Sequence, residues 1–280
     1  MNVPIDLSLA HATLLDLPPF ELIRVAAATG YQMVGLRLIA IDRPGEPRHG
    51  LPPSSAVMRD VKHLLDDTGI RVLDLEVAMV RDGVDPQTYL PMFEAAAELD
   101  ATYVLTNVYK TDRGAAIEGV QTICNLAAPF GLTPVIEFVS FSATPTLADA
   151  AELVRAAARP EVGILFDMLH FHSTHGTAAD LAALPPGRLA YVHMDDGPRE
   201  VPATVDELRR IAREARLFPG EGGADFAGIL PLLPANIPYA VEVVNPARAR
   251  EMGPDAYAQL GREMTERCLR ASERPGVART

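Results

Sequence analysis

Strand-like and helix-like segments alternate from one end of this chain to the other, and that alternation restricts the fold more than any other feature. Apolar, β-branched runs at 5–10, 33–39, 70–79, 102–107, 133–139, 162–167, 189–194 and 238–244 read as strands. Helical patterns at 18–28, 55–67, 86–99, 112–130, 146–158, 178–184, 205–216 and 226–233 separate them, and a last helix is expected at 254–269. The boundaries carry their own chemistry. Ser54 or Ser55 stands at an N-cap, and Gly30, Gly69 and Gly131 stand where helix ends want a left-handed residue. Runs such as Val162 to Phe166 are apolar throughout rather than alternating, as strands buried on both faces require.

Eight strands with helices between them, and no low-complexity linker, predict an α/β chain folded as a single (β/α)8 TIM barrel over residues 1–280. Residues 273–280 are expected to be a frayed tail. The length of 280 residues suits that fold, which commonly takes about 250. An open doubly wound sheet is the second choice. Its dinucleotide-binding version lacks the Gly-x-Gly-x-x-Gly that should follow strand one.

Four consecutive strands each carry one metal-capable residue near the C-terminal end: Glu137, Asp167, His193 and Glu242. They are separated by 30, 26 and 49 residues, that is, two ordinary βα repeats and one repeat enlarged by an insertion. In a barrel these strand ends converge on one face, where active sites are built. A carboxylate inside an apolar run is costly unless something compensates it. A lone strand-end Asp or Glu is as often a helix N-cap or an ion-pair partner, but the recurrence on four neighbouring strands favours a shared ligand. Three oxygens and one nitrogen form a hard set that suits Mn2+ first, with Mg2+, Co2+ and Zn2+ as alternatives.

Residues around this set are candidates for holding a substrate. His170, three after Asp167, is expected in a loop at the rim, where it touches substrate rather than metal. Arg199 follows His193 by six residues and offers a fork of donors. Phe218-Pro-Gly-Glu-Gly is a tight turn that brings Glu221 toward the same mouth. Arg37 and Asn107 end strands two and four, although an ion pair of Arg37 with Asp74 and Glu76 is an equally natural reading. Lys110 faces either the pocket or water. His172, His175 and His63 are expected in solvent, and His11 and His49 carry no spacing signal.

Taken together, Glu at strand five, Asp-x-x-His at strand six, His-x5-Arg at strand seven, Pro-Gly-x-Gly after it and Glu at strand eight resemble the xylose-isomerase-like TIM-barrel superfamily. The closer similarity is to its sugar phosphate isomerase/epimerase branch. That resemblance implies one divalent metal on Glu137, Asp167, His193 and Glu242, with His170 and Arg199 against the substrate. It implies an isomerase or epimerase of a keto-sugar or cyclic keto-polyol, with Glu137 and Glu242 moving a proton through a metal-stabilised enediolate. A dehydratase, a C–C or C–glycoside lyase, or a non-catalytic sugar-binding or scaffold subunit are the alternatives.

Charge and composition exclude other classes. With 25 basic and 37 acidic residues the chain carries a net charge of -12, which repels nucleic acid and anionic membranes at long range. No apolar run approaches the roughly 20 residues of a membrane span. Cys124 and Cys268 have no zinc spacing and are expected as reduced thiols, and the first residues do not form a signal peptide. The expected compartment is the cytoplasm, and the expected assembly is a homo-oligomer or a subunit of a hetero-oligomer.

Overall fold

The computed structural model describes residues 6–41 and 45–272. Its strands are β1 (Leu7–Leu9), β2 (Met33–Arg37), β3 (Arg71–Val80), β4 (Tyr103–Val108), β5 (Thr133–Glu137), β6 (Gly163–Asp167), β7 (Leu189–Met194) and β8 (Tyr239–Val241). Each pairs in parallel with the next, and β8 returns to β1, so the sheet closes into an eight-stranded barrel. The first residue of the expected first strand, residues 42–44 of the following loop and the 273–280 tail lie outside the described residues.

The helices cover the outside: α1 (Pro19–Thr29), α2 (Ala56–Thr68), α3 (Leu90–Glu98), α4 (Arg113–Ala127), α5 (Leu147–Ala157), α6 (Met168–Ser173), α7 (Ala178–Ala182), α8 (Val205–Glu214), α9 (Phe226–Ile229), α10 (Pro246–Met252) and α11 (Pro254–Ala271). Local chemistry sets their ends. Ser55 caps α2 by accepting from the Met58 amide at 3.1 Å, and Thr146 with Asp149 forms a capping box on α5. Gly30 and Gly69 end α1 and α2 at φ of 83° and 71°, backbone that a Cβ would strain. β1, β2, β5, β6 and β8 are shorter than their apolar runs, whereas β3, β4 and β7 match theirs in length. Two helices had no sequence signal, α6 and α10.

Alternation along each strand sorts the side chains into two layers. Val34, Leu36, Ile136, Ile164, Phe166 and Val192 point outward into the core shared with the helices. Met33, Leu105, Val135, Leu165, Tyr191 and Ala240 point inward and fill the barrel. Two residues beyond an inward residue the chain points inward again. From Val135, Leu165, Tyr191 and Ala240 that step reaches Glu137, Asp167, His193 and Glu242. The period of the strand alone therefore places all four above the apolar plug at the C-terminal mouth. Asn107 follows Leu105, and Arg37 follows Gly35 and Met33, by the same rule.

His11, in the turn after β1, is buried at this mouth. Its Nδ1 accepts from the Arg37 amide at 2.9 Å, Nε2 lies 2.8 Å from the Leu17 carbonyl, and the ring stacks on His49 at 4.7 Å. Burial drives its pKa down to about 3. The folded chain thus keeps His11 neutral down to about pH 3, whereas an unfolded chain protonates it near pH 6.5. Stability from this group is full above the unfolded value and is lost as the pH falls through it. Thermal midpoints are expected to drop between pH 7 and pH 5, with a shallower slope in His11→Gln. An equal slope in that variant would remove His11 from the account.

Candidate functional site

Glu137, Asp167, His193 and Glu242 are all buried, and one ligand atom from each lies within 4.8 Å of the others. His193 Nδ1 stands 3.3 Å from Glu137 Oε1, 3.2 Å from Glu242 Oε2 and 3.7 Å from Asp167 Oδ2. None of these contacts is a hydrogen bond: Glu137 Oε1, Glu242 Oε2 and both ring nitrogens of His193 are buried without a hydrogen-bond partner. Unpaired polar atoms are expensive in a dry interior, and Glu137 Oε1 facing His193 Nδ1 asks for a shared partner. Burial disfavours charge on His193, yet the Glu242 charge and the Asp167 and Glu137 carboxylates hold its pKa well above the ordinary value. The spot attracts positive charge. A divalent cation with hard-donor preference fits this set by charge, donor type and spacing.

The neighbours fix which oxygen faces the centre. Asn107 Nδ2 donates to Glu137 Oε2 at 2.7 Å and leaves Oε1 to the cluster. Asp167 divides its two oxygens. Oδ1 accepts from the His170 amide at 2.7 Å as the N-cap of α6, while Oδ2 faces the cluster. The helix-cap reading of Asp167 holds for Oδ1, and Oδ2 is left facing the cluster.

Arg216 is a functional candidate that sequence reasoning missed. It is buried, with Nη1 2.9 Å from Asp167 Oδ2 and 2.8 Å from Glu242 Oε2, and it also meets Asp195 Oδ2. Burial raises the pKa of Glu242, but the Arg216 and His193 charges outweigh it and hold the value at about 2. For Asp195, burial and the Asp167 charge win, and its pKa rises well above the carboxylate range. Arg216 reaches this position because the chain is pinned on both sides of it. Asp196 and Leu217 exchange backbone bonds of 3.0 and 2.9 Å, and the Arg216 amide donates to the Val244 carbonyl at 3.1 Å.

The Asp196 carboxylate then gathers the turn. It accepts from the amides of Gly197, Gly220, Gly222 and Ala224 at 2.8, 3.0, 2.8 and 3.0 Å. A Cβ on Gly222 would stand 1.8 Å from the Gly197 carbonyl oxygen, so the close approach requires glycine there. No periodicity or ligand spacing marks Arg216. The single cue was a basic residue between a helix end and a Pro-Gly turn.

A pocket of about 70 Å³ opens over the cluster, with Arg37, Asn107, Phe141, His170 and Arg213 among its walls. His170 is buried on α6 rather than in a rim loop, because the Asp167 cap starts a helix at once. The Ser140 amide donates to its Nδ1 at 3.4 Å, which leaves the proton of the neutral ring on Nε2. Burial pushes its pKa below the ordinary value. Arg37 is held by Glu76 at 3.1 Å and Glu46 at 3.3 Å, and Asp74 accepts instead from the Tyr191 hydroxyl at 2.7 Å.

Two expected substrate contacts are placed elsewhere. Arg199 is exposed and is not among the residues lining the pocket. Glu221 is occupied by Arg248, at 2.6 and 2.8 Å, and by the Phe218 amide at 3.0 Å. Lys110 lies 3.9 Å from Asp82. His63 and His175 are exposed, but His172 is half-buried, 2.9 Å from the Pro198 carbonyl. Cys124 and Cys268 are both free thiols. Among the described residues no helix is long and apolar enough to cross a membrane.

A family model described as xylose isomerase-like TIM barrel matches residues 23–268. The inosose isomerase of Halalkalibacterium halodurans is 24% identical over 191 residues, 62% of this chain and 66% of that protein. The 3-dehydroshikimate dehydratase of Pseudomonas aeruginosa is 29% identical over 203 residues, 67% of this chain and 31% of that protein. The chain thus spans less than two thirds of either relative. Among solved structures, an IolI protein with a bound zinc atom superposes with a TM-score of 0.77 at 19% identity, over 96% of this chain and 99% of that one. A D-psicose 3-epimerase of Clostridium cellulolyticum H10 with D-tagatose gives 0.69 at 13% identity, over 95% and 99%. Both share the fold.

Proposed function

Because this chain belongs to the xylose isomerase-like TIM-barrel family, we propose that it is a cytoplasmic, divalent-metal-dependent isomerase or epimerase of a keto-sugar or cyclic keto-polyol. The observation that carries this reading is the buried cluster of Glu137, Asp167, His193 and Glu242, whose ligand atoms converge beneath a pocket, with Glu137 Oε1 and the His193 nitrogens lacking a hydrogen-bond partner. These four would hold the ion. The proposed ion is Mn2+, on the strength of three carboxylates against one imidazole, with the zinc of the IolI protein as the main alternative. Once bound, such an ion supplies a Lewis acid and a template for two substrate oxygens.

The rest is done by side chains. Glu137 and Glu242 approach from β5 and from the end of β8, three steps apart around the ring. One takes the proton from a carbon beside the carbonyl, and the other returns a proton to substrate. Return to the opposite face of the same carbon inverts it; return to the neighbouring carbon moves the carbonyl. His170, with its proton on Nε2, is placed to donate to a substrate oxygen. Arg216 keeps Asp167 and Glu242 ionised. The apolar floor beneath them keeps bulk water from the reacting carbon.

A second reading has a specific observation behind it, the similarity to a 3-dehydroshikimate dehydratase. In it the same proton is removed, and an acid of the site protonates the β-hydroxyl as it departs, so that water leaves and no proton returns to carbon. Incubation with Mn2+ and a panel of inososes, ketohexoses and 3-dehydroshikimate in D2O separates the outcomes. Deuterium at a carbon of recovered ketose supports the first reading, and loss of water supports the second. Absence of both across the panel, with sugar bound without metal, would leave a non-catalytic sugar-binding barrel.

Metal removal has its own expected result. The three carboxylates lose a counter-charge, so the EDTA-treated chain should melt lower, and added Mn2+ should restore it. Saturation at one hundred times Kd corresponds to about 2.7 kcal/mol, a shift of several degrees in a calorimetric scan. An unchanged midpoint with no metal retained after dialysis would remove the ion from the site.

A further inference from the structure

The basic residues of α8 and the segment after it do not share one fate. Arg209 pairs with Asp206 at 2.8 Å, Arg210 with Glu207 at 2.7 Å, and Arg216 is wrapped by Asp167, Asp195 and Glu242. Arg213 has no carboxylate partner among the described residues; its side chain donates to the Tyr109 hydroxyl, another residue of the pocket. One helical turn earlier, where i−3 and i−4 neighbours would pair with it, stand Arg210 and Arg209. Its guanidinium carbon lies 5.4 Å from the centroid of the Phe141 ring. Stacking on a ring face fixes a guanidinium while leaving its in-plane edge accessible, and the Tyr109 hydroxyl, a neutral acceptor, leaves its positive charge uncompensated.

Position makes this residue significant. Arg213 lines the pocket that also contains Glu137, Glu242 and His170, and it lines a neighbouring cavity of about 630 Å³. Ala12 and Val244 line both as well, so Arg213 stands where the small space over the cluster opens into the larger one. The other two arginines of the pocket are already neutralised, Arg37 by Glu76 and Glu46 and Arg216 by three carboxylates. Glu46 at the same mouth is taken by Arg37 and by the Ile41 amide at 2.9 Å.

We propose that Arg213 is the subsite for a carboxylate carried by the substrate, which makes the ligand of this pocket an acidic keto-polyol rather than a neutral sugar. This inference rests on the reading of the pocket as a keto-polyol site and narrows its substrate class. A planar carboxylate accepts two parallel N–H bonds from one guanidinium, and its single charge matches the one pocket guanidinium that has no carboxylate partner among the described residues. A phosphoryl group carries nearly twice that charge, and the described pocket has no second unpaired guanidinium to meet it. The overall charge of -12 is no obstacle, since a stacked guanidinium at close range outweighs distant, screened surface charges.

The test compares three probes on the Mn2+-loaded chain by titration calorimetry: 3-dehydroshikimate, a neutral inosose, and fructose 6-phosphate. Turnover does not blur the comparison, because dehydration of the acid leaves its carboxylate in place. The acid is expected to bind about tenfold or more tighter than the inosose, the factor that one charge-assisted bidentate contact gives. In Arg213→Gln that ratio collapses toward one, and in Arg213→Lys, which keeps the charge and loses the fork, it is intermediate. Melting curves establish that both variants are folded. Equal affinities in the parent chain, a ratio that survives in Arg213→Gln, or tightest binding of the phosphate would each overturn the assignment. Preferential binding of the acid without turnover of any probe would sustain the subsite and remove the isomerase reading. Turnover of inosose with no dependence on Arg213 would do the reverse.

Discussion

Glu242→Gln is expected to lower turnover of any substrate of this pocket by about 10²–10⁴-fold, the usual worth of one positioned proton-transfer group. Glutamine keeps the shape and one carbonyl oxygen for a cation but cannot accept the proton. Washing the substrate C–H out in D2O should therefore stop, while metal analysis after dialysis still finds an ion held by Glu137, Asp167 and His193. Glu137→Gln should lose exchange to a similar degree. The two variants need not be equal, because Asn107 ties one oxygen of Glu137 and Arg216 faces Glu242. Persistence of exchange in Glu242→Gln at the parent rate would take the proton-transfer role away from this residue.

Arg216→Met is expected to be the most destabilising single change at the site. Removing one partner of a buried ion cluster leaves charge without compensation, at a cost of about 3–5 kcal/mol. In a chain of this size that corresponds to a fall in Tm of roughly 10 °C or more. Asp167 and Glu242 regain a neighbouring positive charge when Mn2+ is added, so metal should recover part of the loss. Asp195 faces Arg216 from outside the four-residue set, so the recovery should remain incomplete. A midpoint within about 2 °C of the parent would mean that Arg216 does not neutralise the cluster.

The barrel and the four converging residues were legible in the sequence for one reason. Both are consequences of period. Strand–helix alternation fixes the layers, and the two-residue step along an inward-facing strand carries Val135 to Glu137 and Tyr191 to His193. What depends on single long-range contacts was not legible. Arg216 lies 49 residues from Asp167 along the chain, and the pinning of 217 to Asp196 and of 216 to Val244 brings them together. Glu221 looks like a pocket residue in its turn motif. It is claimed by Arg248, from a helix after β8 that no sequence pattern announced.

His170 was assigned to a loop because six residues cannot display a helical period. The cap that creates α6 is the same carboxylate read as a ligand. Arg199 follows the motif spacing in number, but the turn gathered by Asp196 leaves it in solvent. Arg213 carried no sequence signal at all, since its meaning lies in the absence of a carboxylate partner among the described residues.

The divided carboxylate of Asp167 makes the pocket and the helix beyond it parts of one mechanism. A rotation about its Cβ–Cγ bond cannot serve one oxygen without displacing the other. Loading of the centre and the bearing of the His170 ring are thus correlated variables. A cation held by Asp167 Oδ2 would act on the same carboxylate whose Oδ1 caps α6, and so would bear on the helix that carries His170. One carboxylate thus joins the cluster at the mouth to the helix that holds His170 against the pocket.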